Sequence, residues 1–137
     1  MHPVSESQIY LPIGRFQISN SSSGCMYSLK TVQNIPVSVA EAWKFFSDPA
    51  NLARITPEHM RFRVVSHHHG NEMYPGQIIE YKVTPLFGIT TYWMTEITHV
   101  QHEKFFVVEQ RHGPYKMWHH QHHFRSIEGG TEMTDIV

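Results

Sequence analysis

The densest run of chemically capable side chains is Trp118-His119-His120-Gln121-His122-His123-Phe124. Imidazole changes charge near neutral pH and is the commonest metal ligand. In an extended chain, successive side chains point to opposite faces. Trp118, His120, His122 and Phe124 therefore share one face, and Met117, His119, Gln121 and His123 the other. The bulky aromatic ends mark the first set as the inner face. A His-x-His pair can present two imidazoles to zinc, and the third ligand would come from another strand, with Glu96, Glu109 and Asp135 as candidates. No His-Glu-x-x-His helix and no cysteine cluster accompanies the pair. Hydrogen bonding within a polar stretch of cavity accounts for these histidines more simply, so neither a metal ligand nor a cofactor is assigned. His67-His68-His69 falls in a loop, and three consecutive residues do not share a strand face.

Other chemistry has less support. Cys25 stands alone without an identifiable base, and no Gly-x-Ser-x-Gly elbow or phosphate-binding glycine loop is present. The carboxylates Glu96, Glu109, Glu132 and Asp135 could move protons if desolvated. On amphipathic strands such groups ordinarily face solvent beside a Lys or Arg. No catalytic residue is assigned. The aromatics carry the remaining signal: Tyr81, Trp93, Phe106, Tyr115, Trp118 and Phe124 can line an apolar pocket with a few polar tips. With His120 and His122 they form the expected ligand-binding set.

These side chains need elements to position them. Ser38-Val39-Ala40-Glu41 is a capping box, and Val39, Ala42, Trp43 and Phe46 then recur at helical spacing. Asp48-Pro49 opens a second short helix, which Thr56-Pro57 ends. A strand from about Met26 to Ile35 precedes the pair. From Met60 onward the pattern alternates, giving strands at Met60 to Val64, Ile79 to Val83, Ile89 to Val100, Lys104 to Arg111, Tyr115 to Ile127 and Thr131 to Val137. Turns at Pro75-Gly76, Pro85-Leu86-Phe87-Gly88, His112-Gly113-Pro114 and Gly129-Gly130 connect them. The reading is α+β: about seven strands in a strongly curved antiparallel sheet, with two short helices after strand 1. Residues 1–24 show no sustained period and read as an irregular extension; residues 25–137 form the domain.

Composition narrows the partners. The chain has 137 residues, 40% of them hydrophobic, enough for a single core. A net charge of -1 gives a nucleic-acid partner no electrostatic support. One cysteine suits a reducing compartment, and no apolar run approaches the ~20 residues of a membrane span. A cytoplasmic protein that is not membrane-embedded is expected.

The ordered set of motifs resembles the SRPBCC superfamily, which includes START lipid-binding domains and polyketide cyclases. The resemblance spans about Met26 to Val137. It is carried by Ile35-Pro36-Val37-Ser38-Val39-Ala40-Glu41-Ala42-Trp43-Lys44-Phe45-Phe46, Asp48-Pro49-Ala50-Asn51-Leu52 and Ile55-Thr56-Pro57. Pro75-Gly76, Trp93-Met94-Thr95-Glu96-Ile97, Glu109-Gln110, Gly113-Pro114-Tyr115, Trp118-x-His120-x-His122-x-Phe124 and Gly129-Gly130 with Asp135 continue it. It implies a helix-grip fold, a sheet wrapped around a long C-terminal helix with an apolar cavity between them. It also implies binding of a hydrophobic or aromatic small molecule, lipid- or polyketide-like. The alternatives are a cyclase or aromatase using a cavity His or Glu96, and a protein-interaction module using the uncovered sheet face. The long helix is missing from the sequence through Val137, so a truncated pattern is expected, with a homo-oligomer or residues 1–24 covering the exposed face in part.

Overall fold

The computed structural model describes residues 15–20, 27–55, 58–66, 72–84 and 88–137. The polar run Ser21-Ser22-Ser23-Gly24, Cys25, Thr56-Pro57, the His67-His68-His69 loop and Pro85-Leu86-Phe87 lie outside these residues.

The capping box forms as the sequence dictates. Ser38 Oγ accepts from the Glu41 amide at 3.2 Å, and the Glu41 carboxylate accepts from the Ser38 amide at 3.4 Å. Two of the otherwise unpaired amides at the start of helix α1 (Val39–Phe46) are thereby satisfied. Helix α2 (Pro49–Ile55) follows Asp48, whose side chain accepts from the Ala50 amide at 3.0 Å. Among the described residues α1, with eight residues, is the longest helix.

The strands are β1 (Arg15–Asn20), β2 (Tyr27–Ile35), β3 (Arg63–Val64), β4 (Ile78–Val83), β5 (Thr91–Gln101), β6 (Phe105–His112), β7 (His119–Ile127) and β8 (Gly130–Ile136). All pairings are antiparallel, in the spatial order β1-β2-β8-β7-β6-β5-β4-β3. The seven expected strands and both helices are present in the expected order, and the fold is of the α+β helix-grip type.

Three boundaries differ. Residues 15–20 of the supposedly irregular extension form β1, which pairs along β2 rather than lying over the sheet face. An unpaired edge of amides and carbonyls is a strong template, and Phe16 and Ile18, alternating with Arg15, Gln17 and Ser19, are a strand pattern too short to stand out as a sustained period. Met60 closes a 3₁₀ turn, Glu58–Met60, and β3 shrinks to two residues after Arg61 takes a positive φ of 47°. Tyr115 to Trp118 precede β7 instead of opening it, although the Gln110 amide still bonds to the Trp118 carbonyl at 3.0 Å.

The core lies where α1 meets the inner face of the sheet. Trp43 projects from the helix onto Phe106, Phe124 and His102, with ring centroids 5.8, 5.4 and 5.5 Å apart. Ile35, Ala42, Ile79, Tyr81, Val83, Ile97 and Met133 complete the buried cluster. Where β2 turns toward α1 the backbones approach so closely that a Cβ on Gly130 would lie 2.1 Å from the Ile35 carbonyl oxygen. Only glycine fits there.

Candidate functional site

Strand parity and register decide which groups meet. β7 lies between β6 and β8, with Phe106 opposite His122, Val108 opposite His120, and Asp135 opposite His122. On the other side of the sheet's centre, Tyr81 of β4 stands opposite Trp93 of β5. The inner face consequently carries a continuous path of rings. Tyr81 meets Trp93 at 5.5 Å, Trp93 meets Trp118 at 5.4 Å, and Trp118 meets His120 at 6.1 Å. His120 and His122 lie 3.9 Å apart, His122 stacks on Phe106 at 4.3 Å, and Phe106 meets Phe124 at 6.1 Å. Tyr115 packs against both Trp93 and Trp118, at 5.7 and 4.9 Å. All eight residues of the sequence-derived set are thus brought together.

Their surroundings differ along the path. Tyr81, Phe106 and Phe124 are buried, Trp93 and Trp118 are half-buried, and Tyr115 is 51% exposed. Burial pushes the Tyr81 hydroxyl up to about 12, a neighbouring Thr95 hydroxyl offsetting only part of the effect. The indole Nε1 of Trp93 is buried and has no hydrogen-bond partner. Such a donor is costly to leave unmade.

At the centre of the path sits a polar triplet. Asp135 Oδ1 lies 2.6 Å from His122 Nδ1 and 3.4 Å from His120 Nε2. All three atoms are shielded from solvent, and none makes a directed hydrogen bond. Distance permits the bonds; the ring orientations do not. For His122, burial is the largest influence and pushes its pKa down, against the pull of Asp135 and together with repulsion from His120. Burial by itself would raise the Asp135 carboxyl, but the two imidazoles outweigh it and hold it below the usual carboxylate range. At neutral pH the triplet is a neutral His122 beside an ionised Asp135.

Of the three carboxylates considered as companions for the His pair, only Asp135 joins it. Glu96 and Glu109 face each other across β5 and β6 on the outer face. Like charges so placed would repel, and Arg111 bridges them at 3.1 and 2.9 Å. Glu109 also holds His119 at 2.8 Å, and its pKa is lowered chiefly by that contact. His119, Gln121 and His123 run along this outer face in a hydrogen-bonded row. Glu96 therefore has no access to the inner face, and the expected role for it as a cavity acid is withdrawn.

One feature of the inner surface went unnoticed in the sequence. A cleft of about 740 Å3 opens beside α1, with Trp43, Lys44, Asp48, Val64, Met73 and His102 among its walls. None of the eight ring-path residues lines it. Its parts come from four separate segments, and no local pattern links them.

Comparison with known proteins agrees with the fold. Residues 35–137 match the model of the polyketide cyclase / dehydrase and lipid transport family. The chain belongs to that family. Membership makes hydrophobic-ligand binding the class of activity to test. No curated protein matches the chain. Solved structures of similar fold include protein Ms6760 from Mycobacterium smegmatis, 20% identical over 91% of this chain and 77% of that one, with a TM-score of 0.68. A protein from Rhodobacter sphaeroides is 17% identical over 89% and 76% (TM-score 0.65), and one from Arthrobacter aurescens 19% over 88% and 72% (TM-score 0.67). At these identities the likeness extends to the fold alone. Among the described residues of this polyketide cyclase / dehydrase and lipid transport family member, no helix is long and apolar enough to cross a membrane.

Proposed function

We propose that the chain binds a hydrophobic small molecule carrying an aromatic or polycyclic, lipid- or polyketide-like body, against the ring path of the inner face. The observation that carries this reading is the mutual ring contact of half-buried Trp93 and Trp118 with exposed Tyr115. Rings left partly in water supply contact area at small conformational cost. His120 and His122 would then orient polar atoms of the ligand. The 740 Å3 cleft is the less suitable seat, because Lys44, Asp48, Glu72 and Glu103 around it would have to lose water to an apolar guest.

Intrinsic tryptophan fluorescence tests the reading, with anilinonaphthalene sulfonate as the probe and native mass spectrometry for any co-purifying molecule. Binding to the wild type should weaken at least about tenfold in Trp118→Ala, the loss expected when a large ring leaves a contact worth ~1.5 kcal/mol or more. Equal affinity in Trp118→Ala, with loss in a cleft variant such as Met73→Glu, would move the site to the cleft.

A further inference from the structure

The polar triplet has a geometry that ligand orientation alone does not explain. His120, His122 and Asp135 each offer one ligand atom, and these atoms all lie within 4.8 Å of one another. Buried polar atoms are ordinarily paired, and each exception asks for a missing partner. Here three exceptions coincide: His120 Nε2, His122 Nδ1 and Asp135 Oδ1 are all shielded and all without a directed hydrogen bond. A proton shared along a hydrogen bond would need the donor aimed at the acceptor. Instead, two imidazole nitrogens and a carboxylate oxygen converge on one small volume without that alignment.

We infer that His120, His122 and Asp135 form a binding site for a divalent first-row transition-metal ion of the zinc or iron(II) class. Two imidazoles and one carboxylate are a common donor set for these ions, at about 2.0–2.2 Å per ligand. An ion at that distance would satisfy all three orphaned atoms at once, with a small opening of the 2.6 Å His122–Asp135 approach. Phe106 stacked on His122 and Trp118 edge-on to His120 hold the imidazoles in place. Three protein ligands leave at least one coordination position for water or for a donor atom of a guest. The ion-binding capacity stands independently of the hydrophobic-ligand reading, since it needs only the three side chains.

The histidine-rich loop at His67-His68-His69 is the rival ion binder, so the experiment separates the two. Metal-stripped full-length protein is titrated with Zn2+ by calorimetry, and with Co2+ by absorption spectroscopy. The wild type should take one tight equivalent of each ion and show an intense cobalt spectrum typical of low coordination number. Asp135→Asn and His122→Gln should weaken Zn2+ binding by at least about tenfold, the lower bound set by the loss seen when even supporting groups of metal sites are removed. The loop variant with His67, His68 and His69 all changed to Gln should keep the tight equivalent. Loss of it in the loop variant, or its retention in Asp135→Asn and His122→Gln, would overturn the assignment. Should those variants fail to fold, Co2+ broadening of wild-type NMR signals decides. Signals of β7 and β8 must broaden first, and broadening confined to the loop refutes the site. Anilinonaphthalene sulfonate binding, measured on the same samples, reports separately on the ring path.

Discussion

Tyr81 illustrates how one side chain couples burial to pH. Its ring packs between Phe62 and Trp93, at 4.9 and 5.5 Å, and removal from water raises its hydroxyl from 10.0 to about 12. The folded protein therefore holds this proton where the unfolded chain has already released it. Stability from this group is fully present below pH 10 and is lost between pH 10 and 12. The whole effect is on the order of 2–3 kcal/mol, two units at ~1.4 kcal/mol each. Urea denaturation at pH 9 and pH 11 should show the midpoint falling in the wild type, with the fall reduced in Tyr81→Phe. An equal fall in both would assign the alkaline instability to other groups. At the same scale, the contact between His122 and Asp135 pulls the imidazole up and the carboxyl down, although burial leaves His122 lowered, and that contact requires two strands to meet in register.

At the scale of elements, α1 is short and has few sources of stability of its own. Eight residues are below the length at which a helix holds in water, so its cap and its buried face must sustain it. Ser38→Ala removes one half of the capping box and should cost about 1 kcal/mol in a urea melt. The inner-face fluorescence of Trp43 should change along with it, because Trp43 is the helix's main anchor on Phe106 and Phe124. An unchanged midpoint would place the helix's stability entirely in that anchor. The local elements were readable in advance for the same reason. Capping, helical spacing and strand alternation act over a few residues, and every expected helix and strand is present. Boundaries were less readable. The sequence Tyr115-Lys116-Met117-Trp118 is apolar and aromatic enough to read as the start of the following strand, yet β7 starts only at His119, after Gly113 brings the chain tightly against Gln110 and Trp93.

For the whole molecule, β1 closes one edge of an eight-stranded sheet. A variant beginning at Met26 would leave the outer edge of β2 unpaired over Tyr27–Val32 as well. Exposed edges recruit other chains, so this variant should elute as a larger species in size-exclusion chromatography and melt at a lower temperature. A monomer of unchanged stability would show that β1 is dispensable. β1 was missed because its alternation holds only two apolar residues, Phe16 and Ile18, and what secures it is backbone pairing along the edge of β2.

The sequence by itself determined the element order, the capped helix pair and the parity that puts Trp118, His120, His122 and Phe124 on one face. These follow from interactions a few residues long. It also named the eight residues of the ring path, six of them by aromatic character; strict alternation through Tyr115 would have put that ring on the opposite face, and it joins the path because β7 begins only at His119. Only the tertiary structure decided that Asp135 completes the histidine pair while Glu96 and Glu109 are turned away. The decision rests on the β7–β8 hairpin, whose loop is Glu128-Gly129, with Gly129 at a φ of 80° and Ile127 paired to Gly130. A loop placed one residue later, at Gly129-Gly130, would slide the pairing by two positions. Asp135 would then stand opposite Phe124, and the two imidazoles would have no carboxylate between them.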